Sequence, residues 1–307
     1  MKKIPAGGQA VIEGVMMKTP RYYSVAVRNE KGRIVTTAAR YVSLGEKYPF
    51  LKLPFLRGVI NLWEMLRLGM KSLGYSAKVA GEEDEELSDT AVTVTIIFSV
   101  FLAIGLFVVL PYFVTHLFGI SEEKNTIMFN LVDGIIKLLL FVGYVYAISF
   151  MKDIRRVFQY HGAEHMAVNT YEAGKELTLN NSLKHGTYHP RCGTSFVVFV
   201  LIVMVLVFSF IPMLIKGIFP GIDSLSIFAR KLLFFGVRLL FIIPVAGISY
   251  ELLRLSGKMK DNLFSKIIGF PGRLVQGITT REPEKDQVKV AISALKKVLK
   301  KESEKAD

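Results

Sequence analysis

The chain has 307 residues, 51% of them apolar and 21% charged, with a formal net charge of +13 and a positive mean hydropathy. It is too apolar for an ordinary soluble protein and too charged to be all membrane, so several spans with sizeable water-exposed parts are expected. In such a chain the positive charge reflects lysine and arginine retained beside an anionic cytoplasmic leaflet, which argues against nucleic-acid binding. One cysteine excludes an internal disulfide and fits a reducing compartment.

Residues 1–53 read as a β-rich cytoplasmic element. AVIEGVMM and YYSVAVR are strand-like, and NEKGR is a turn leading into IVTTAA. The basic start lacks an apolar core long enough for a signal peptide. Residues 54–80 read as an amphipathic helix with a wide apolar face and a thin basic stripe. Such a helix lies in the membrane interface or docks on the protein's own core. GEEDEELSD, 81–89, reads as an acidic linker.

Four spans are expected, in two pairs. The first pair, within 90–151, comprises Thr90–Ser121 and Thr126–Met151. The second, within 192–250, comprises Cys192–Ile215 and roughly Ile227–Tyr250. Asp133 and Lys137 interrupt the second span and Arg238 the fourth. Charges at such depth line a polar pathway, receive an anionic group, or pair as a strut. Fourteen Lys or Arg precede the first span, six lie in 152–191 and 13 follow the fourth, against one in 122–125 and three in 216–231. This asymmetry puts both termini and the 152–191 loop on the cytoplasmic side of the membrane. The 251–307 tail reads as glycine-rich turns (GFPGRLVQG, 269–277) followed by a helix at about 284–301 with one apolar face. The fold class is therefore an α-helical multi-pass membrane protein with a small α+β cytoplasmic part.

The 152–191 loop and its border with the third span hold four of the five histidines and the only cysteine. His161 and His165, four apart, project from one helical face. With Glu164 they form H-x-x-E-H, the order of inverted zinc-protease motifs whose glutamate is a general base. His185, His189 and Cys192 follow at spacings of four and three, with Pro190 enforcing a turn. Two paired sets fit the two-half construction of many zinc sites. A closed shell of His161, His165, His189 and Cys192 would be structural. Three ligands with an open position and Glu164 as base would be catalytic, and hydrogen bonding without a metal is the third reading. His185 and Glu251, the latter just after the fourth span, are possible additional ligands. Glu172 falls on the His161 face, and Glu13 is a lone acid in an apolar, glycine-flanked segment.

GGQAVIEGVMM (7–17), HGAEH (161–165), HPRCGTSF (189–196) and TTREP (279–283) together resemble the YqhQ-like family of bacterial membrane proteins, a domain of unknown function (DUF1385) commonly labelled a predicted metal-dependent enzyme. The resemblance covers nearly the whole chain and implicates His161, Glu164, His165, His189 and Cys192. The expectation is a zinc-type hydrolase at the cytoplasmic membrane face, acting on a lipid headgroup or a membrane-associated peptide. Its partners would be anionic membrane lipids and a homo-oligomer or membrane protein. The alternative is a non-enzymatic scaffold or transport component with a structural metal.

Overall fold

A computed structural model describes residues 3–81, 89–120, 125–258 and 263–304. The acidic linker lies almost wholly outside them. The N-terminal part is a four-stranded antiparallel meander: Gly7–Val11 (β1), Gly14–Lys18 (β2), Tyr22–Arg28 (β3) and Ile34–Arg40 (β4). AVIEGVMM, expected as one strand, is a hairpin. Val11 pairs with Gly14, and Glu13 turns the chain with a left-handed φ of 49°. The single-strand reading failed because both faces of this sheet are covered, so the segment carries no polar alternation to mark the turn. Val15, Met17, Tyr22 and Ala26 fill one face; Val11, Met16, Tyr23, Val25 and Val27 fill the other.

The helices follow in chain order. A single turn, Leu44–Lys47 (α1), leads through the 3₁₀ turn Pro49–Lys52 to Leu56–Ala80 (α2). Asp89–Ile104 (α3), a π-helical stretch Gly105–Val109 and Leu110–Leu117 (α4) form one path. Thr126–Ile148 (α5), Lys152–Glu172 (α6), Leu179–Ser182 (α7), Gly193–Ile218 (α8) and Ile227–Lys258 (α9) come next, then Leu263–Thr279 (α10) and Lys285–Ser303 (α11). Four stretches are long and apolar enough to cross a membrane: Ile97–Leu117, Thr126–Ile148, Gly193–Ile218 and Phe228–Leu255. They fall where the apolar runs put them. The π-helical stretch has a local cause in Pro111, which lacks an N–H for the Phe107 carbonyl; the Leu110 N–H correspondingly reaches back to the Gly105 carbonyl.

Helices sandwich the sheet. Leu68, Met65, Tyr75 and Val79 of α2 cover one face, and Val288, Ala291, Leu295 and Val298 of α11, with Tyr160, Ala163 and Ala167 of α6, cover the other. On this side α2 packs against the sheet. Trp63, Leu66, Met70 and Leu73 remain exposed on the opposite side, which is the geometry an interfacial helix needs. The first turn of α2 is tied to α9: Gly58 lies so close to Tyr250 that an added Cβ would sit 2.7 Å from it, and Arg57 grips both carboxylate oxygens of Glu251 at 2.7 and 2.5 Å.

The tail corrects one expectation. Residues 269–277 are not turns; they continue α10 through Pro271. Gly272 serves close packing instead. A Cβ on Gly272 would lie 2.5 Å from the Ser195 hydroxyl, so α10 seats tightly against the start of α8. Proline is tolerated because only one intrahelical donor is lost, and the remaining packing holds the helix. The terminal helix, expected at about 284–301, is α11.

Candidate metal centre

The site is assembled from α6, the turn before α8, and the end of α10. His161 and His165 lie one turn apart on α6, with ring centroids 4.5 Å apart. Cys192 is the residue immediately before α8, so the end of that helix fixes the sulfur. The ligand-capable atoms of His161, His165 and Cys192 all lie within 4.8 Å of one another. His161 Nε2 stands 3.2 Å from Cys192 Sγ. Bond lengths of about 2.0–2.1 Å to nitrogen and about 2.3 Å to sulfur at a tetrahedral angle separate two such ligands by roughly 3.6 Å, so the donor set fits a zinc-type ion with small adjustment.

Both imidazoles are oriented by backbone carbonyls. His161 Nδ1 donates to the Thr279 carbonyl at 2.9 Å, and His165 Nδ1 donates to the Thr187 carbonyl at 2.5 Å. A carbonyl only accepts, so each Nδ1 carries the proton and each Nε2 presents its lone pair to the cluster. Burial lowers the pKa of His165 and favours the neutral form that a metal requires. Thr279 opens the TTREP motif, which accounts for that distant segment: its first carbonyl aims His161, and the Arg281 N–H bonds the Phe158 carbonyl of α6. Gly162 makes this approach possible, because a Cβ there would lie 2.2 Å from the Arg281 carbonyl oxygen.

Glu164 sits beside the cluster, 6% exposed. Burial raises its pKa, countered by the charges of His161 and His189 and by the Gly8 N–H facing its carboxyl. Gly8 also lets β1 come close: a Cβ would stand 3.1 Å from Glu164 Cγ. Glu13 does not enter the site. It ion-pairs with Arg156 and accepts from Tyr160 at 3.2 Å, locking the hairpin to α6. Burial acts to raise the Glu13 carboxyl, but Arg156 outweighs it and holds the pKa low.

His189 lies next to the cluster, its ring 5.6 Å from that of His165, yet its nitrogens face other partners. Nδ1 accepts from the Arg191 N–H at 3.3 Å, and Nε2 points to Glu172 at 3.5 Å. The four-ligand shell with His189 is therefore not the arrangement present; three residues converge. Glu172 supports the turn by also receiving Arg191. Burial acts to raise the Glu172 carboxyl, and His189 and Arg191 together bring it below its ordinary value. His185 ends a turn after α7, outside the converging set. Glu251 is held by Arg57 and is likewise not a ligand here.

Sequence reasoning missed Gln276. Its side chain clamps the His189 turn, receiving the His189 N–H at 3.0 Å and donating to the His189 carbonyl at 3.0 Å and to Ser195 at 2.7 Å. Asn169, donating to the carbonyls of Gly186 and Tyr188, holds the same turn from α6. The Asp133 and Lys137 pair forms at 2.5 Å within α5, and Arg238 of α9 donates to Asn130 at 2.9 Å.

Four helices long and apolar enough to cross a membrane, a small antiparallel sheet clasped by α2 and α11, and a His/His/Cys cluster between α6 and the start of α8 define the class: a mostly helical protein with, among the described residues, one candidate metal centre. The chain belongs to the family described as "Protein of unknown function (DUF1385)", whose model matches residues 53–301. It is 33% identical over 322 aligned positions to the "Uncharacterized protein YqhQ" of Bacillus subtilis (strain 168), an alignment covering 98% of this chain and 95% of that protein. The family read from the motifs is thus the family found. No solved structure matches.

Proposed function

We propose that this protein is a metal-dependent hydrolase of the bacterial inner membrane, with its site at the cytoplasmic face and both termini in the cytoplasm. The observation that carries the reading is the convergence of His161, His165 and Cys192, with both imidazoles fixed as Nδ1-protonated tautomers. Three protein donors leave a coordination position for water or substrate, which is the pattern of catalytic rather than structural zinc sites. A bound zinc-type ion would supply Lewis acidity and a water activated near neutral pH.

The chain's own residues supply the rest. Glu164, buried on the same helix between the two histidines, is the residue we assign to take a proton from water and pass it to the leaving group. The sheet edge at Gly8 and the clamped 185–192 turn exclude bulk water around it. Because Cys192 borders the long apolar α8, a substrate anchored in the membrane reaches the site without leaving the interface. Lipid headgroups and membrane-associated peptides both meet that condition.

Glu164→Gln tests the assignment. The variant should keep its metal and lose at least a hundredfold of hydrolysis on a panel of chromogenic esters, amides and phosphoesters. Loss of metal or of the fold in Glu164→Gln would instead make Glu164 a structural residue.

A further inference from the structure

Away from the candidate metal centre, a second polar site lies inside the helical bundle. A cavity of about 240 Å³ opens between the π-helical stretch, α4, α5 and α9. Its wall is apolar at Val108, Val109 and Phe129. Asn130, Asp133, Lys137 and Arg238 meet at the other side. Lys137 is near the middle of α5 and Arg238 lies well inside α9, while Asn130 and Asp133 stand roughly one and two turns from the start of α5. The inference rests on reading these helices as membrane spans.

A strut that merely neutralises buried charge would satisfy its atoms and leave no space. Here the space persists and the Asp133 carboxylate keeps one oxygen unmatched. Asp133 is 8% exposed; Oδ2 takes Lys137, while Oδ1 is buried without a hydrogen-bond partner. An orphaned carboxylate oxygen in an apolar setting is costly, and a ligand that donates to it removes that cost. The charged side chains on the cavity wall are one carboxylate and two cations, so the wall itself suits an acidic group. The wall is kept open by the backbone: the π-helical stretch that precedes Pro111 carries Val108 and Val109, and such stretches recur at functional sites.

We propose that this cavity binds one amphiphile with a singly charged acidic head group. The head group lies among Asp133, Lys137 and Arg238 and presents a hydroxyl hydrogen to Asp133 Oδ1 when it has one. The chain lies along Val108, Val109 and Phe129. A phosphate monoester monoanion carries both the charge and the O–H; a fatty carboxylate carries the charge alone.

The test is calorimetric titration of the full-length protein, in a neutral detergent, with dodecyl phosphate, dodecanoate and dodecanol. One acidic probe should bind at one per chain and at least tenfold tighter than dodecanol. A stronger response to the phosphate names a phospholipid-type head, and a stronger response to dodecanoate names a fatty acid. Lys137→Gln and Arg238→Gln should each weaken the acidic probe at least tenfold. Val109→Trp, which fills the cavity without changing its charge, should do the same should the charge variants fail to fold. Equal binding of dodecanol, or acid binding indifferent to Val109→Trp, overturns the proposal. Membrane fractionation of the wild-type chain separates this failure from failure of the spanning assignment, since a chain that stays in the soluble fraction contradicts the spans themselves. His161→Ala should leave acid binding intact.

Discussion

At the scale of single residues, the candidate centre depends on backbone as much as on side chains. Gly162 is the clearest case. Its missing Cβ lets the Arg281 carbonyl press against α6, and that contact carries Thr279 to His161. Gly162→Ala forces the two segments apart, and overpacking of this kind costs about 1–3 kcal/mol. The expected outcome is a lower melting temperature together with reduced metal occupancy, read by calorimetry and elemental analysis; an unchanged melt would mean that the segments yield freely. The residues that make chemistry were legible because histidine, cysteine and the H-x-x-E-H order announce themselves. Their supports were not. The Thr187 and Thr279 carbonyls have no side-chain signature, and Gln276 sits in a glycine-rich stretch that reads as turns. His189 looked like a ligand because spacing counts residues along the chain, whereas the ring's direction is set by Arg191 and Glu172.

At the scale of elements, α11 is the keystone of the cytoplasmic layer. Its apolar face was readable from the spacing of Val288, Ile292, Leu295 and Val298, but its target was not, since the sheet lies some 270 residues earlier in the chain. Polar contacts add to that face, among them Ser24 donating to the Ala294 carbonyl and the anchor at Glu302. Glu302, 4% exposed, accepts from Thr19 at 2.7 Å, from the Arg21 N–H at 3.1 Å and from the Arg21 guanidinium at 2.8 Å. Burial acts to raise the Glu302 carboxyl, and these donors outweigh it, so its folded pKa lies below its unfolded value. The stabilisation is therefore present above the unfolded value near ~4.3 and is lost as pH falls through the folded one. Glu302→Gln should lower stability at neutral pH and flatten the acid limb of the stability profile, measured by thermal unfolding across pH 3–7 (a range chosen to be about that of carboxylate titration). Parallel wild-type and variant profiles would show that other carboxylates set the acid limb. The hairpin in AVIEGVMM was missed for a related reason: burial on both faces erases the alternation that marks strand ends, and Glu13 is an uncommon residue for a left-handed turn.

At the scale of the whole molecule, the apolar runs were the most legible feature, because a long uncharged stretch has few alternatives to a spanning helix. The clasp between α2 and α9 was not legible, since it depends on Gly58 meeting Tyr250 across nearly two hundred positions. The charge asymmetry of the loops predicts both termini inside. Alkaline phosphatase fused after Gly119 should be active and fused after Asp307 inactive, with the reverse pattern contradicting the orientation. The central claim, however, is that the three converging side chains hold an ion. Elemental analysis of the purified wild-type protein, set against the His161→Ala/His165→Ala double variant, tests it most directly. The account predicts about one zinc-type ion per chain in the wild type and none in the folded variant. Wild-type protein free of stoichiometric metal, or a variant that retains it, would contradict the account.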